Sequence, residues 1–324
     1  MNFYRLFSKT DSLFHDDDIT DMIISNNESI NISQLQYLVS TELKYILSLH
    51  PNTRITCAIK VDPSVKRCEP VDLSMYHKIV YPSFPSDTLT GLFRPNILMI
   101  RFSDRLRIVF SSACIHVWDW EEFTQWIWMQ DFFIKPNQPR AIKKLDKEFR
   151  CNLIEFLLAC RYPEDRVFEI LKDVCFENVS VRMVTSLPGR FSPAVGERYG
   201  QYRLRTIIKD LNAYYDKITN HQVREVRPVI SQSDTVGFLE KGFIRDIISS
   251  CNGGRDVDGD VNDLFQIAYP SKKYVSNAIR YNTSIMNNTY DKYNNETVSL
   301  SCVRNYIPTE GRERSLPRSH FCMD

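Results

Sequence analysis

Glycine and proline are scarce, 10 and 15 in 324 residues, which excludes collagen-like and low-complexity chains. With 43% hydrophobic and 25% charged residues, wholesale disorder is excluded as well. An excess of one charge is also missing. Lys+Arg is 41 against Asp+Glu 40, a net charge of +1, so no general attraction to nucleic acid is expected and such binding needs a local basic site. No run approaches roughly 18 uncharged apolar residues, so no membrane span is expected. The first residues lack the apolar stretch of a signal peptide and turn acidic at Asp16, Asp17 and Asp18. The nine cysteines (57, 68, 114, 151, 160, 175, 251, 302 and 322) are scattered and never form a CxxC pair. This is no secreted disulfide framework and predicts reduced thiols in an intracellular, soluble protein. The Asn-x-Ser/Thr triplets at Asn27, Asn31, Asn178, Asn282, Asn287 and Asn295 are then chance occurrences.

What is present is an alternation of helical and strand periods, the mark of an α/β architecture. At roughly 150 residues per domain, the length suits two domains or one large one. Leu35, Leu38, Val39, Leu43 and Leu47 predict an amphipathic helix over 33–47, and residues 54–61 a strand. The runs 97–102 (ILMIRF) and 106–111 (LRIVFS) predict a hairpin turning at Ser103-Asp104-Arg105. A helix over 142–160 buries Leu145, Phe149, Leu153, Phe156, Leu157 and Ala159. A second helix opens at Pro163 and carries Val167, Phe168, Ile170, Leu171 and Val174. Residues 181–188 read as a strand, 203–216 and 238–251 as helices, and 264–269 as a strand with a helix after Pro270. Residues 282–296 read as a polar surface loop. The domain boundary is expected near residue 178, separating a first half, 1–178, from a second, 179–324.

Single motifs say little. Asp256-Val-Asp258-Gly-Asp260 resembles the start of a calcium loop, but Val261 occupies the sixth position where such a loop needs Gly, so a solvated acidic turn is expected. His77-Lys78 and His15 have no metal-ligand spacing. Cys114, at the end of an apolar strand, reads as a core filler. Trp118, Trp120, Trp126 and Trp128 read as scaffold that could in part line a cleft.

Taken in order, several segments carry more. FRPNILMIRF (93–102), LRIVFSSACIHVWDW (106–120) and WIWMQDF (126–132) are followed by SLPGRF (186–191), ERYGQYRLRTIIKDL (197–211), RPVISQSDTVGFL (227–239), LFQIAYPS (264–271) and RSLPRSHFCMD (314–324). Together, over roughly residues 90–324, they resemble the tyrosyl-DNA phosphodiesterases of the phospholipase D superfamily. The resemblance implies two similar mixed-sheet halves flanked by helices, with one active site at their junction. It also implies a nuclear role in DNA repair, removing covalent adducts from DNA 3′ ends, without a cofactor. Each half normally supplies His-x-Lys and, later, an Asn.

The chemistry explains that pattern. Side chains two apart on a strand share a face, so His and Lys reach one phosphate together. One neutral His attacks phosphorus while the other protonates the leaving oxygen and then activates water. The Lys and Asn groups hold the phosphoryl oxygens. In this sequence Arg94-Pro95-Asn96 stands where the resemblance places the first His-x-Lys, and Cys114 stands for its companion Asn. Arg318-Ser319-His320 stands at the second, and the second half is expected to be incomplete after it, without its own companion Asn. Guanidinium stays protonated and has no lone pair to attack or shuttle a proton. Losing a positioned acid–base group costs about 10²–10⁴ in rate.

These departures predict a protein without intact catalytic residues. Arg94, Arg318 and His320, joined by Gln232 and Thr235, form an expected site for a phosphate or a DNA 3′ end, with Asp234 opposing by repulsion. Two alternatives stand beside it. Residual phosphodiesterase activity would use His320 or Cys114, and a structural subunit would have its incomplete half covered by a protein partner.

Overall fold

The computed structural model describes residues 19–29, 41, 43–44, 48, 50–60, 77–80, 95–113, 115–123, 125–135, 143–187, 189, 191–220, 225–232, 241–269, 277, 303–305 and 320–323. The chain forms two compact units. The first comprises residues 1–121, 127–183 and 187–190, and the second 122–126, 184–186 and 191–324.

The first unit is built on β1 (Asp21–Ser29), β2 (Arg54–Lys60), β3 (His77–Val80), β4 (Ile97–Arg101), β5 (Arg105–Ser111) and β6 (Ile127–Phe133). They form one mixed sheet in the order β3-β2-β1-β4-β5-β6, parallel from β3 to β1 and antiparallel from β1 to β6. Both faces are covered. Period-two alternation sends Met22, Ile24, Leu98 and Ile100 to one core, capped by Trp120 of α1 (Val117–Glu122), and Ile23, Ile97, Met99 and Ile108 to the other. Against the second face lies α2 (Lys144–Ala159), whose buried Phe149, Leu153, Phe156 and Leu157 follow the helical repeat of the sequence.

Two local expectations shift. The hairpin turn closes one residue early, with the Phe102 N–H donating to the Arg105 carbonyl at 2.8 Å, so Arg105 belongs to β5. Its guanidinium lies 4.0 Å from the Phe102 ring centroid and pairs with Asp104, an arrangement that keeps a buried cation within the strand. The next helix, α3 (Glu164–Ile170), stops four residues before Val174, which instead bridges Ile134. Val167 and Ile170 take its buried face, leaving Phe168 turned outward and exposed.

Residues 181–187, expected as a strand, are irregular. Val181, Met183 and Leu187 pack half-buried against the core of the first unit, yet no strand pairs with them among the described residues. The buried Asp146 carboxylate of α2 holds the approach by accepting the Val179 N–H at 3.0 Å.

The second unit carries α4 (Pro193–Gly196), α5 (Gly200–Thr219), β7 (Val229–Gln232), α6 (Lys241–Cys251), α7 (Val261–Leu264), β8 (Phe265–Tyr269), β9 (Val303–Asn305) and β10 (His320–Met323). Its sheet runs β10-β7-β8-β9, with β7, β8 and β9 parallel and β10 antiparallel to β7. This repeats the first sheet's β4-β1-β2-β3 in order and direction, so the two halves share one strand plan. The core gathers Val229, Ile244, Ile248, Val261, Phe265 and Ile267.

The polar loop after α6 is pinned by Asn252. Its amide donates to the carbonyls of Arg227 and Ile248 and accepts the Arg227 N–H. Gly254 sits at φ +86°, and a Cβ there would lie 3.3 Å from the Arg205 side chain, so the loop needs glycine to close over α5. The acidic turn ends in a cap: Asp260 accepts the Asn262 N–H at 3.1 Å and starts α7, which takes up Leu264 before β8 begins. Helix α5 is longer than the sequence pattern suggested. Only Ile207 of its 20 residues is buried, and Leu211, Tyr214, Tyr215 and Ile218 continue as an exposed apolar stripe. The expected helix over 33–47 lies largely outside the described residues, as do the helix after Pro270 and the loop over 282–296.

Candidate functional site

In the first unit the first motif meets the sheet at the start of β4. Pro95 and Asn96 lead into the strand, and the Pro95 carbonyl accepts the Ser25 hydroxyl at 2.9 Å. The Asn96 carbonyl accepts the Ser111 N–H at 3.2 Å, which extends the β4–β5 ladder by one step. Asn96 is half-buried, and its side-chain Oδ1 is buried without a hydrogen-bond partner among the described residues. On the neighbouring strand, the Ser111 hydroxyl donates to the Ala113 carbonyl at 2.9 Å and turns the chain just before position 114. Pro95–Asn96 and Ser112–Ala113 therefore lie at the same end of two adjacent strands.

The second unit repeats this layout. β10 opens at His320, which is the register partner of Gln232, the last residue of β7. Opposed residues of an antiparallel pair share one face of the sheet. The Gln232 amide Nε2 is buried with no hydrogen-bond partner among the described residues. Asn96 and Gln232 thus each hold a buried polar atom with no hydrogen-bond partner among the described residues, a state that costs about 1–3 kcal/mol. Arg94, Cys114, Thr235 and Arg318 lie outside the described residues, as does Asp234.

The shared strand plan also exposes a position that motif reading missed. The β1–β4 pairs end at Ile24↔Leu98; the same register extended two steps would set Asn26 opposite Asn96, as Gln232 stands opposite His320. No local motif marks Asn26. Only the duplicated pairing reveals it.

The opposite end of β1 is an ionic cluster. Asp21, fully buried, bonds Arg166 at 2.5 Å and Arg54 at 3.0 Å, and Glu169 bridges both arginines at 2.7 Å. Burial pushes the Asp21 carboxyl up to about 6 despite the pull of Arg166 and Arg54. The hydrogen bond from Arg54 holds the more exposed Glu169 below the usual carboxylate range. This cluster ties β1 and β2 to α3. Among the described residues no group of three or more His, Cys, Asp or Glu could hold a metal ion, and no helix is long and apolar enough to cross a membrane. Of the tryptophans, Trp120 is core and Trp128 stacks on Phe110 at 5.4 Å, while Trp126 is 49% exposed.

Two mixed sheets with one strand plan and flanking helices make this a phospholipase D-like α/β protein. Solved structures agree in fold. A His-to-Arg mutant of yeast tyrosyl-DNA phosphodiesterase 1 matches with TM-score 0.59 and 13% identity, over 96% of this chain and 75% of that one. Yeast tyrosyl-DNA phosphodiesterase itself matches with TM-score 0.55 and 12% identity, over 84% and 63% of the two chains. The family model for tyrosyl-DNA phosphodiesterase matches residues 37–323, and the chain belongs to that family. Tyrosyl-DNA phosphodiesterase 1 of Arabidopsis thaliana is 26% identical over 178 residues, covering 51% of this chain. The chain spans 27% of that relative's length.

Proposed function

We propose that this member of the tyrosyl-DNA phosphodiesterase family binds a phosphate-bearing DNA 3′ end without turning it over, in nuclear DNA repair. The observation that carries the reading is arginine at both positions where the family's chemistry needs a neutral imidazole, Arg94 and Arg318. A guanidinium cannot form the phosphoenzyme bond or relay the leaving-group proton, but it holds a phosphate with two parallel N–H···O bonds. In the sequence Arg94 precedes Asn96 by two residues, and Arg318 precedes His320 by two. Each arginine is then followed by a sheet position with an amide or imidazole for the remaining phosphoryl oxygens. The unsatisfied Asn96 Oδ1 would accept from a protonated or hydroxyl-bearing end, and Gln232 Nε2 would donate to a phosphoryl oxygen.

Incubation with a 3′-phosphotyrosyl oligonucleotide tests the reading. The expected result is no released tyrosine, together with binding that weakens as salt rises and is lost in Arg94→Ala and Arg318→Ala. Tyrosine release that falls in His320→Ala would establish residual catalysis instead. A protein-partner role draws on a separate observation, the exposed stripe of Leu211, Tyr214, Tyr215 and Ile218 on α5. A chain that runs as a monomer alone and with its cellular extract speaks against that role.

A further inference from the structure

Around the start of α5, four side chains form a cluster outside the two motifs. Phe191 and Tyr199 bring their ring centroids to 5.1 Å at an interplanar angle of 35°. Gly196 lies between Phe191 and Tyr202; a Cβ on it would stand 4.0 Å from the Phe191 Cβ and 3.9 Å from the Tyr202 ring. The Arg205 guanidinium lies 5.1 Å from the Tyr202 ring centroid and is held from behind by the Ser250 hydroxyl at 3.3 Å. Although they touch one another, Phe191 remains 40% and Tyr202 46% exposed. The aromatics are therefore neither core nor isolated surface residues.

The segment that carries them is cation-rich. Between residues 191 and 210 the chain has Arg198, Arg203, Arg205 and Lys209 against Glu197 and Asp210. An otherwise neutral protein concentrates cations where it also exposes rings. An apolar protein segment gains nothing from the cations, and duplex DNA hides its base faces. A single strand offers both a polyanionic backbone and unpaired bases to stack, and base–aromatic stacking tolerates any sequence.

We propose that the Phe191–Tyr199–Tyr202–Arg205 cluster is a stacking surface for single-stranded DNA. The strand's bases lie on Phe191 and Tyr202, and Arg205 serves both as a cation against a base or phosphate and as the brace of the Tyr202 ring. The inference rests on the DNA-end reading above and deepens it. The two arginine positions read the terminal phosphate, while this cluster reads single-stranded length.

The test is fluorescence anisotropy with labelled 3′-phosphorylated oligothymidylates, one of about four nucleotides and one of about twenty, spanning the site sizes of aromatic single-strand binders. The long strand should bind more tightly than the short one. Phe191→Ala and Tyr202→Ala should each weaken the long strand about tenfold, the effect of losing one stacked base, and leave the short strand unchanged. Tyr202→Phe should keep wild-type affinity, and Tyr202→Leu should lose it because an aliphatic side chain has no π-face. Far-ultraviolet circular dichroism and a melting curve confirm that each variant is folded. Equal affinity of wild type and both alanine variants for the long strand overturns the proposal. So does full retention in Tyr202→Leu, which marks an apolar protein contact, or equal competition by duplex of the same length. The two readings fail separately. If Arg94→Ala leaves the preference for a 3′-phosphate intact while the length effect falls with Tyr202→Ala, the end pocket is wrong and the stacking surface stands.

Discussion

Gln232 and His320 are register partners where β10 joins β7, and the Gln232 amide nitrogen is buried without a hydrogen bond among the described residues. A donor left in that state weakens the fold and is available to an anion. Gln232→Ala is therefore expected to leave unfolding free energy within about 1 kcal/mol of wild type, because relief of the unsatisfied donor offsets the packing lost with the side chain. It should weaken binding of a 3′-phosphorylated oligonucleotide several-fold. Urea denaturation and anisotropy on the same protein check both halves of the prediction.

Asp21 gives a pH signature. Its carboxyl titrates near 6 in the folded protein, above its ordinary 3.8, because burial disfavours the charged form. The folded state then holds the proton more tightly than the unfolded chain. The contribution of this group to stability is complete below about pH 4 and is lost as the pH rises through about 6. Glu169, held low by Arg54, works in the opposite direction and loses its contribution as the pH falls, muted by its exposure. In melting curves from pH 4 to 7, Asp21→Asn should remove the downward component and leave the rising one. An unchanged slope would contradict the assignment.

Thiol reactivity should sort by burial. Cys57 is pushed up to about 12 and Cys251 to about 11, and burial raises Cys160 as well. Cys151 is exposed on α2. Timed iodoacetamide labelling at pH 8, read by peptide mass spectrometry, should modify Cys151 first among these four, with Cys57 and Cys160 protected until unfolding.

Asn252 is the clamp of the second unit. Asn252→Ala removes three hydrogen bonds and leaves the Arg227 N–H and two carbonyls without their amide partner. The expected loss is about 2–3 kcal/mol, measured by chemical denaturation. Asn252→Asp should restore only part of it, since a carboxylate accepts the Arg227 N–H but cannot donate to the two carbonyls.

Much of the first unit was legible because its signals are local. Ile97–Ile100 and Leu106–Phe110 alternate around a tight turn, and Phe149, Leu153, Phe156 and Leu157 repeat at helical spacing. The failures have a common physical cause. Val181, Met183 and Leu187 alternate as a half-buried strand does, but alternation reports burial, and strand formation also needs a neighbour to pair with. Phe168 was misplaced because a hydrophobic residue next to a buried stripe need not join it. The pairing of β1 with β2 and of β7 with β8 is parallel between distant segments, so no short-range pattern announces it. For the same reason no motif marks Asn26, whereas Asn96, Gln232 and His320 lie in the segments that carry the family resemblance. Arg94, Cys114, Thr235 and Arg318 lie outside the described residues and rest on the sequence alone.

The common strand plan of the two sheets has a consequence for synthesis. In the first sheet β4 follows its partner β1 after β2 and β3, and β5 then closes onto it through a hairpin turn. In the second, β10 follows its partner β7 only after β8, β9 and the segments between them, so β7 must wait on the ribosome with one edge open until residues 320–323 have emerged. An unpaired edge of that kind is where nascent chains misassociate. Production of this protein should therefore be most vulnerable between the emergence of β7 and that of β10, while the second unit still lacks the strand that bears His320.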